Sequence, residues 1–222
     1  MTTLNVLDKG FVRLVDSMGD DLSVVNAARV SFGKQKEQFD KRDERLVKYL
    51  WEHKHTSPFR HATVKFHIKA PVFVFRQWQK HQVGCSWNEL SGRYVEFQGD
   101  CYTPNVWREQ HANNKQGSQG AIEQQTLIAT AYAKHIDDCL ILYKGMIANG
   151  VCKEQARLVL PHSLYTECIW TCSLQAAMHF LTLREDEHSQ WEIQQYAQAV
   201  RKLIEPLFPI SLSIHKKEQK ND

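Results

Sequence analysis

Residues 62–70 have the sequence ATVKFHIKA, and this stretch sets the fold. The apolar side chains of Val64, Phe66 and Ile68 alternate with lysine and histidine side chains. Successive side chains of a strand point to opposite faces, so the alternation predicts a half-buried β-strand. A second stretch, LYTECIWTCS at residues 164–173, is rich in β-branched and aromatic residues and predicts another strand. We therefore expect a small, mostly antiparallel sheet.

Most of the remaining chain has the apolar spacing of amphipathic helices. In residues 40–55, for example, Leu46, Val47, Leu50 and Trp51 form one inner face between charged positions. Helices are predicted at residues 21–32, 40–55, from Pro71 onward, 121–150, 152–161, 174–184 and 189–206. The polar stretch 97–120 predicts a loop. We expect one α+β domain over residues 1–222, helix-rich around the small sheet, with residues 216–222 as a disordered tail.

Composition argues against several classes of protein. The 222 residues carry a net charge of +3, which gives no sign of non-specific nucleic-acid binding. The N-terminal residues contain no long apolar run, so we expect no signal peptide, no membrane span and a cytoplasmic location. The six cysteines include no CxxC pair and are expected to be reduced thiols. Cys168 and Cys172 lack a nearby second ligand pair, and no HExxH pattern occurs, so no metal site is predicted.

One segment, RQWQKHQVGCSWNELSGRYVEF at residues 76–97, concentrates groups that suit an anionic, planar ligand. Its glycines Gly84 and Gly92 allow close approach of the backbone or a positive φ. Its cations Lys80 and Arg93 suit phosphate, the first as a point charge and the second as a two-pronged donor.

The same segment has polar groups that suit the rest of a nucleotide. Ser91 and the backbone N–H groups near it are able to form an anion-binding nest, while Gln77 and Glu89 suit the edge of a base. The alternative is an exposed turn with ordinary ion pairs. The crowding of these donors beside tryptophans and a tyrosine favours the ligand-binding interpretation.

Three further polar groups have equally ordinary explanations. The stretch HKHTSPFRH at residues 53–61 is typical of a loop between a helix and a strand, with Ser57 as a capping residue. Arg157, in a short apolar helix, would usually pair with a neighbouring glutamate. Arg184 would stabilise the C-terminus of its helix, and His188 has no evident role.

Taken together, these segments resemble the flavin-dependent thymidylate synthases. The resemblance covers most of the chain, in the family's order, and is specific in its combination of motifs. The matching motifs are HTSPF (55–59), RQW (76–78), NELSGRY (88–94), ARLVLP (156–161), and LR (183–184) followed by HSQWEIQQYA (188–197).

The resemblance implies an activity, a fold and an assembly. Members of this family methylate dUMP at C5 to give dTMP, with methylenetetrahydrofolate as the carbon donor. NADPH reduces a tightly bound FAD, and the reduced flavin supplies the electrons. No enzyme nucleophile attacks the uracil, which suits a chain whose cysteines lie in no activated setting. Their fold is α+β, and they are homotetramers whose active sites are built where subunits meet.

The resemblance also assigns residues. Arg184 matches an arginine that favours ionisation at N3 of the uracil, which makes C5 more nucleophilic. The expected dUMP-binding residues are Gln77, Trp78, Gln79, Lys80, Glu89, Leu90, Ser91, Gly92, Arg93, Arg157 and Arg184. The expected FAD- and folate-binding residues are Ser31, His55, Ser57, Lys80, His81, Gln82, Glu89, Ser173, Gln175, His179 and His188.

The chain departs from the family pattern mainly on the flavin side. Lys80-His81-Gln82 stands where the family has Arg-His-Arg, and eight residues instead of seven separate Gln82 from Ser91. Ser173-Leu174-Gln175 and then His179 replace an Asn-x-Arg segment and a further Asn. These changes predict that the FAD diphosphate is bound more weakly, by a few kcal/mol of binding free energy. This is about the contribution of one or two charge-assisted hydrogen bonds. Arg60, where the family usually has Glu, is expected to compensate if it folds back toward the site.

Two other functions remain open from the sequence. A pyrimidine-nucleotide transferase that adds a different one-carbon unit, such as hydroxymethyl, would need no hydride and would tolerate an altered flavin site. A catalytically silent dUMP-binding homologue is the other alternative, although the retention of Arg184 argues against it. A purely structural protein would need none of these motifs.

Overall fold

The computed structural model describes residues 2–218. Its strands are β1 (Thr3–Val6), β2 (Gly10–Met18), β3 (Thr63–Pro71), β4 (Cys85–Glu89), β5 (Arg108–Gln110), β6 (Ser118–Ala121) and β7 (Tyr165–Ser173). Its helices are α1 (Asp21–Arg29), α2 (Lys41–Glu52), α3 (Val72–Trp78), α4 (Gln125–Ala148), α5 (Lys153–Ala156), α6 (Leu174–Arg184), α7 (Trp191–Ile204) and α8 (Pro209–Glu218). Short 3₁₀ turns cover Val30–Phe32, Ser57–Arg60 and Arg157–Val159.

Five strands form one antiparallel sheet in the order β1-β2-β3-β7-β4. The two strands predicted from the sequence, β3 and β7, are its centre, and they pair along their whole length with Phe66 opposite Trp170. The predicted α+β fold with a small antiparallel sheet is thus confirmed. Helix α7 packs against β2 and α3, while α1, α2 and α8 pack against one another.

Several elements differ from the sequence predictions. The loop predicted for residues 97–120 was wrong in part, because it contains the two short strands β5 and β6. Their polar, glycine-containing sequences give no alternating apolar signal. Helix α4 begins at Gln125 rather than near residue 121. Helix α8 runs to Glu218 and was not predicted. Residues 219–222 of the predicted tail lie outside the described residues.

A cluster of aromatic side chains forms the centre of the core. Trp78, Trp170 and Phe180 are fully buried. The Trp78 ring stacks on Phe180 with centroids 4.6 Å apart and meets Trp170 edge-on at 5.2 Å. The Trp87 ring of β4 stacks on the Trp170 ring of β7 with centroids 5.4 Å apart. The cluster therefore joins helices α3 and α6 to strands β7 and β4. Aromatic rings of this size contribute much of the apolar area that folding buries.

We predict that Trp78→Ala lowers the free energy of unfolding by about 3–5 kcal/mol, because it leaves a large cavity in this cluster. The measurement is urea unfolding followed by circular dichroism at one fixed protein concentration. Met18→Ala is the control, since Met18 is 59% exposed. A Trp78→Ala midpoint equal to that of Met18→Ala would show that the cluster does not carry this stability.

Candidate active site

A cavity of about 520 Å³ opens beside strand β4 and the turn that follows it. Glu89, Leu90, Ser91 and Gly92 line this cavity together with Arg157. All five of these residues were predicted from the sequence to bind the nucleotide. The structure therefore brings together two motifs that lie more than sixty residues apart in the chain.

Hydrogen bonds to the sheet and within the turn hold residues 89–92 of the lining, the cavity wall, in place. The Leu90 N–H donates to the Glu167 carbonyl at 2.8 Å, which extends the β4–β7 pairing up to the turn. The Ser91 carbonyl then accepts from the Tyr94 N–H at 3.0 Å, and the Arg93 N–H donates to Ser91 Oγ at 3.3 Å. These bonds fix the turn from Leu90 to Tyr94 against the edge of the sheet.

Position 92 requires glycine because the neighbouring side chains leave no room for a Cβ atom. A Cβ atom at this position would overlap the Phe97 ring and would lie 3.3 Å from Arg157 Cδ. The backbone of the turn therefore approaches the Phe97 ring more closely than a residue with a side chain allows, with Arg157 in contact beside it.

Arg93 of the turn and Arg157 of the cavity lining meet at Glu154 of helix α5. Arg93 Nε lies 2.7 Å from Glu154 Oε2, and Arg157 Nε donates to the Glu154 carbonyl at 3.4 Å. The Arg93 and Glu154 side chains are both more than half exposed, at 57% and 56%. Exposed pairs of this kind contribute about 0–1 kcal/mol, so an anionic ligand is able to replace the carboxylate.

A second group of predicted residues lies at the end of α3. Arg184 Nε donates to His81 Nε2 at 3.0 Å. His81 is buried, and burial, then the charge of Arg184, then His179 lower the pKa of its imidazole to about 4. His81 is therefore neutral near pH 7, and it must carry its proton on Nδ1 to accept from Arg184. The sequence analysis assigned Arg184 to the nucleotide and His81 to the flavin, whereas the structure joins them.

The glutamines of the RQWQ motif point to two different neighbours. Gln77 Nε2 donates to Gln190 Oε1, at the start of α7. Gln79 Nε2 donates to Glu89 Oε2 at 3.2 Å, and this bond connects the end of α3 to the cavity wall. Trp78, which lies between them, was also expected to bind nucleotide. Its ring is instead fully buried in the aromatic cluster, because adjacent positions on a helix face different directions.

Five of the residues predicted for the flavin side form a connected surface. Arg60 Nε donates to Gln175 Oε1 at 2.6 Å. Gln175 and His179 are one turn apart on α6, and the His179 ring lies 5.7 Å from the His81 ring. Lys80 and Gln82, on either side of His81, are exposed. Arg60 thus does fold toward the predicted flavin residues.

The remaining predicted flavin residues occupy varied positions. Ser173 Oγ accepts from the Ala176 N–H at 3.2 Å and caps α6, so it has a structural role. His55 stacks with Tyr49, with centroids 6.2 Å apart. Ser31 and Ser57 lie in 3₁₀ turns. His188 is 3.4 Å from Asn114, which lies between β5 and β6.

A tight turn begins at Gln82, in the segment up to Ser91 that has one residue more than the family pattern. The Cys85 N–H donates to the Gln82 carbonyl at 3.2 Å, and Gly84 has a φ of 73°. A glycine with positive φ at the third position is typical of a type II turn. Strand β4 then pairs with β7 without a break in register, and this pairing holds the cavity wall that follows.

The sequence analysis missed a buried acidic residue, Glu192. Its Oε1 accepts from Tyr102 Oη at 3.2 Å and from Arg108 at 2.8 Å, and its Oε2 accepts from Gln190 Nε2 at 2.9 Å. A signal was available, because Glu192 falls on the apolar stripe of α7 with Tyr196. A carboxylate on such a stripe needs partners.

The described residues contain free cysteines but neither a metal-binding cluster nor a membrane-spanning helix. All six cysteines are free thiols. Among residues 2–218, no cluster of three or more histidine, cysteine and acidic side chains is arranged to hold a metal ion. Within the same residues, no helix combines the length and the apolar content needed to cross a bilayer.

The chain has an α+β fold in which a cavity lined by a glycine-containing turn and an arginine lies beside the edge of the sheet. A sequence profile described as thymidylate synthase complementing protein matches residues 13–210. The chain belongs to this family, the flavin-dependent thymidylate synthases.

Individual relatives agree with this assignment. The chain is 44% identical over 209 residues to a flavin-dependent thymidylate synthase of Thermus thermophilus, covering 94% of this chain and 76% of the relative. It is 46% identical over 211 residues to that of Kosmotoga olearia, covering 94% and 90%. Among solved structures, the UMP/dUMP methylase PolB of Streptomyces cacaoi, bound with 5-Br dUMP, superposes with a TM-score of 0.87 at 30% identity, covering 96% of this chain and 97% of PolB.

We predict that neutral His81 makes stability depend on pH. The unfolded chain takes up a proton near the ordinary pKa of 6.5, whereas folded His81 does so only near 4. This contribution is complete above pH 6.5 and is lost as the pH falls toward 4. Wild type should lose about 2 kcal/mol between pH 7.5 and pH 5 through this group.

The test is urea unfolding of wild type and His81→Gln across that range. Glutamine still accepts from Arg184 but does not titrate, so the variant should lose about 2 kcal/mol less. Exposed His53→Gln serves as the control. Parallel pH curves for wild type and His81→Gln would refute the assignment.

Proposed function

We propose that this chain methylates dUMP at C5 to give dTMP, with methylenetetrahydrofolate as the carbon donor and NADPH as the reductant. The observation that carries the proposal is the cavity in which Glu89, Leu90, Ser91 and Gly92 meet Arg157. Membership in the flavin-dependent thymidylate synthases supplies the reaction. The name of PolB, a UMP/dUMP methylase, supports the same substrate class.

In this proposal, the pocket at the turn binds the nucleotide phosphate. Ser91, the turn amides, Arg93 and Arg157 supply donors for its oxygens. On binding, the phosphate replaces the Glu154 carboxylate at Arg93, which is a weak and exposed partner. The guanidinium of Arg157 is already at the cavity wall and needs no new position.

Arg184 acts on the pyrimidine ring. Its guanidinium stabilises negative charge that develops when N3 ionises, and that charge makes C5 more nucleophilic. The bond to neutral His81 fixes the direction of the guanidinium without cancelling its charge. Burial raises the pKa of Cys85, Cys101, Cys168 and Cys172, so these thiols are poor nucleophiles at neutral pH. This agrees with a reaction that needs no covalent bond to the enzyme.

The family requires a flavin, and we propose that it is FAD. The donors on the flavin side suit an anionic diphosphate, since Arg60 and Lys80 are exposed cations in the same group of predicted residues as the polar side chains of Gln82, Gln175 and His179. When bound, the reduced flavin supplies the hydride that completes the methyl group. In this proposal Arg60 supplies a guanidinium group in place of the two arginines that the family pattern has at the positions of Lys80 and Gln82.

We also propose that the chain assembles into a homotetramer with active sites between subunits. Helix α4 supports this proposal, because only Ile136 and Tyr143 of its 24 residues are buried. Its apolar residues Leu127, Ile141 and Leu142 are 61%, 70% and 52% exposed. An apolar helix face of this kind suits contact with another copy. The cytoplasmic location stays a prediction.

The activity test combines the purified protein with FAD, dUMP, methylenetetrahydrofolate and NADPH. We expect dTMP with one NADPH consumed per product. Arg184→Ala should lower kcat at least 100-fold, equivalent to about 2.7 kcal/mol of transition-state stabilisation, and should retain some dUMP affinity. Full activity of Arg184→Ala would remove this residue from the mechanism.

The same assay separates the alternatives. A hydroxymethylated nucleotide formed without NADPH consumption would favour the different one-carbon transfer. Binding of dUMP without any product would identify a silent nucleotide-binding protein. UMP is assayed beside dUMP, because PolB is named for both.

A second prediction concerns the flavin side. FAD titration of the flavin-free protein with dUMP present, followed by flavin absorbance, should show saturable binding. Arg60→Glu should weaken binding at least tenfold, or about 1.4 kcal/mol, because it replaces a cation with an anion. Arg45→Glu, on the exposed side of α2, makes the same charge change and should have little effect. Equal FAD affinity for both variants would show that Arg60 does not compensate.

A further inference from the structure

Two cysteines from distant parts of the chain lie directly opposite each other in the sheet. Cys85 is the first residue of β4, and its partner in the β4–β7 register is Cys172. Both are free thiols. Facing residues of an antiparallel pair direct their side chains to the same face of the sheet, where their Cβ atoms are neighbours. The fold therefore places two thiols side by side.

The hydrogen bonds around these cysteines make them the closer of the two kinds of cross-strand pair. The Ser173 N–H donates to the Gly84 carbonyl at 3.0 Å, one residue outside the pair, while the Cys85 N–H donates to the Gln82 carbonyl of its own turn. Cys85 and Cys172 thus exchange no backbone hydrogen bonds with each other. The Cα atoms of such a pair are about 4.5 Å apart. Disulfide bonds span Cα separations of about 4.4–6.8 Å.

Packing on both sides of the pair keeps the two thiols opposite each other. The next pair on the same face is Trp87 and Trp170, whose rings stack with centroids 5.4 Å apart. On the other side, a Cβ atom at Gly84 would lie 2.9 Å from Ser173 Oγ, so the backbones stay close up to the turn. A slip that separated the thiols would also separate the two stacked rings.

The two thiols differ in their access to solvent. Cys85 is half-buried, whereas Cys172 is only 1% exposed. Cys85 Sγ lies 3.8 Å from the Val83 carbonyl. A thiol is a weak donor, so this contact does not prevent rotation of the Cys85 side chain. A reagent in solution therefore reaches Cys85 first, and Cys172 reacts only with a group that is already attached to Cys85.

We propose that Cys85 and Cys172 are an oxidisable pair, which a small disulfide of the glutathione class converts into a disulfide bond between β4 and β7. The Cys85 thiolate attacks one sulfur of the reagent and expels a reagent thiolate, which takes up the proton that Cys85 lost. The Cys172 thiolate then attacks the Cys85 sulfur and expels the second reagent thiolate, which takes up the Cys172 proton. Two protein thiols are oxidised, and one reagent disulfide is reduced to two thiols.

This bond fastens an edge of the sheet. Within the part of the chain that the structure describes, β4 lies at the end of the strand order and pairs with β7 alone. Its last residues lead into the cavity wall at Leu90 and Ser91. The disulfide ties the opposite end of β4, beside the turn that begins at Gln82. The proposed function does not enter this inference, so the result of the test bears on the cysteine pair alone.

The test incubates the reduced, full-length protein with oxidised glutathione in mildly alkaline buffer, because burial raises the pKa of both thiols. Remaining thiols are then blocked with N-ethylmaleimide in denaturant. Digestion uses chymotrypsin, which cuts after Trp170 and so separates Cys168 from Cys172. Mass spectrometry should find the Cys85 and Cys172 peptides joined, with the loss of two hydrogen atoms. Dithiothreitol should separate them.

Three variants check the order of the two steps. Cys85→Ser should give no disulfide at Cys172, because the buried thiol is not reached from solution. Cys172→Ala should accumulate the mixed disulfide of Cys85 with glutathione, because the second attacking thiol is missing. Cys139→Ser is the matched control, since Cys139 is also half-buried but lies on α4, and it should form the same bond as wild type.

The exposed Cys152 shows that the reagent is active, because it should form a mixed disulfide with glutathione in every protein. Wild type in which Cys152 reacts while Cys85 and Cys172 both remain thiols would overturn the inference. So would a stable mixed disulfide at Cys85 of wild type, or a bond from Cys85 to any other cysteine. Should Cys172→Ala fail to fold, wild type and Cys85→Ser decide the question.

Discussion

Strand β7 pairs with a neighbour on each of its edges, and this double pairing fixes both parts of the site. On one edge it pairs with β3 along its full length. On the other edge it pairs with β4, whose last hydrogen bond lies next to Ser91. Strand β7 also leads directly into α6, which ends at Arg184. A slip of one residue in the β4–β7 register would turn every β4 side chain to the opposite face.

The stacked aromatic rings make that register costly to change. Trp87 of β4 lies opposite Trp170 of β7, and Trp170 contacts Trp78 at the end of α3. The residues after Trp78 carry the histidine that holds Arg184. Packing therefore connects the sheet edge, where the cavity lies, to the segment after α3 whose histidine accepts from the Arg184 guanidinium. Close-packed cores transmit displacements because they contain few voids into which side chains can relax.

Local patterns in the sequence were sufficient for the elements with a clear period. The alternation of β3 and the long apolar repeats of the helices predicted their existence, and the glycine-containing motif predicted the wall of the cavity. Strand β4 was not recognised, because its five residues, CSWNE, mix polar and aromatic side chains. Its pairing depends on β7, which is about eighty residues distant in the chain.

The site was predictable as a set of residues more than as a set of contacts. Motif matching gave Ser91, Gly92 and Arg157, but it also gave Trp78, whose ring is in the core. The bond between His81 and Arg184 joins residues 103 positions apart, and no local pattern reveals such a contact. Two partners of Glu192, Tyr102 and Arg108, lie 90 and 84 positions away in the chain, so only the folded chain brings them to it.

The glycine turn between His81 and β4 has a consequence for how this chain tolerates change in length. The turn comes before the ladder with β7, and that ladder holds the cavity wall through bonds that the residues before the turn do not make. The segment that carries Lys80 and Gln82 is therefore able to lengthen or to exchange charges while the cavity wall keeps its pairing with β7. The departures at Lys80 and Gln82 accordingly lie at or before the turn, whereas the NELSGRY motif that follows it is intact.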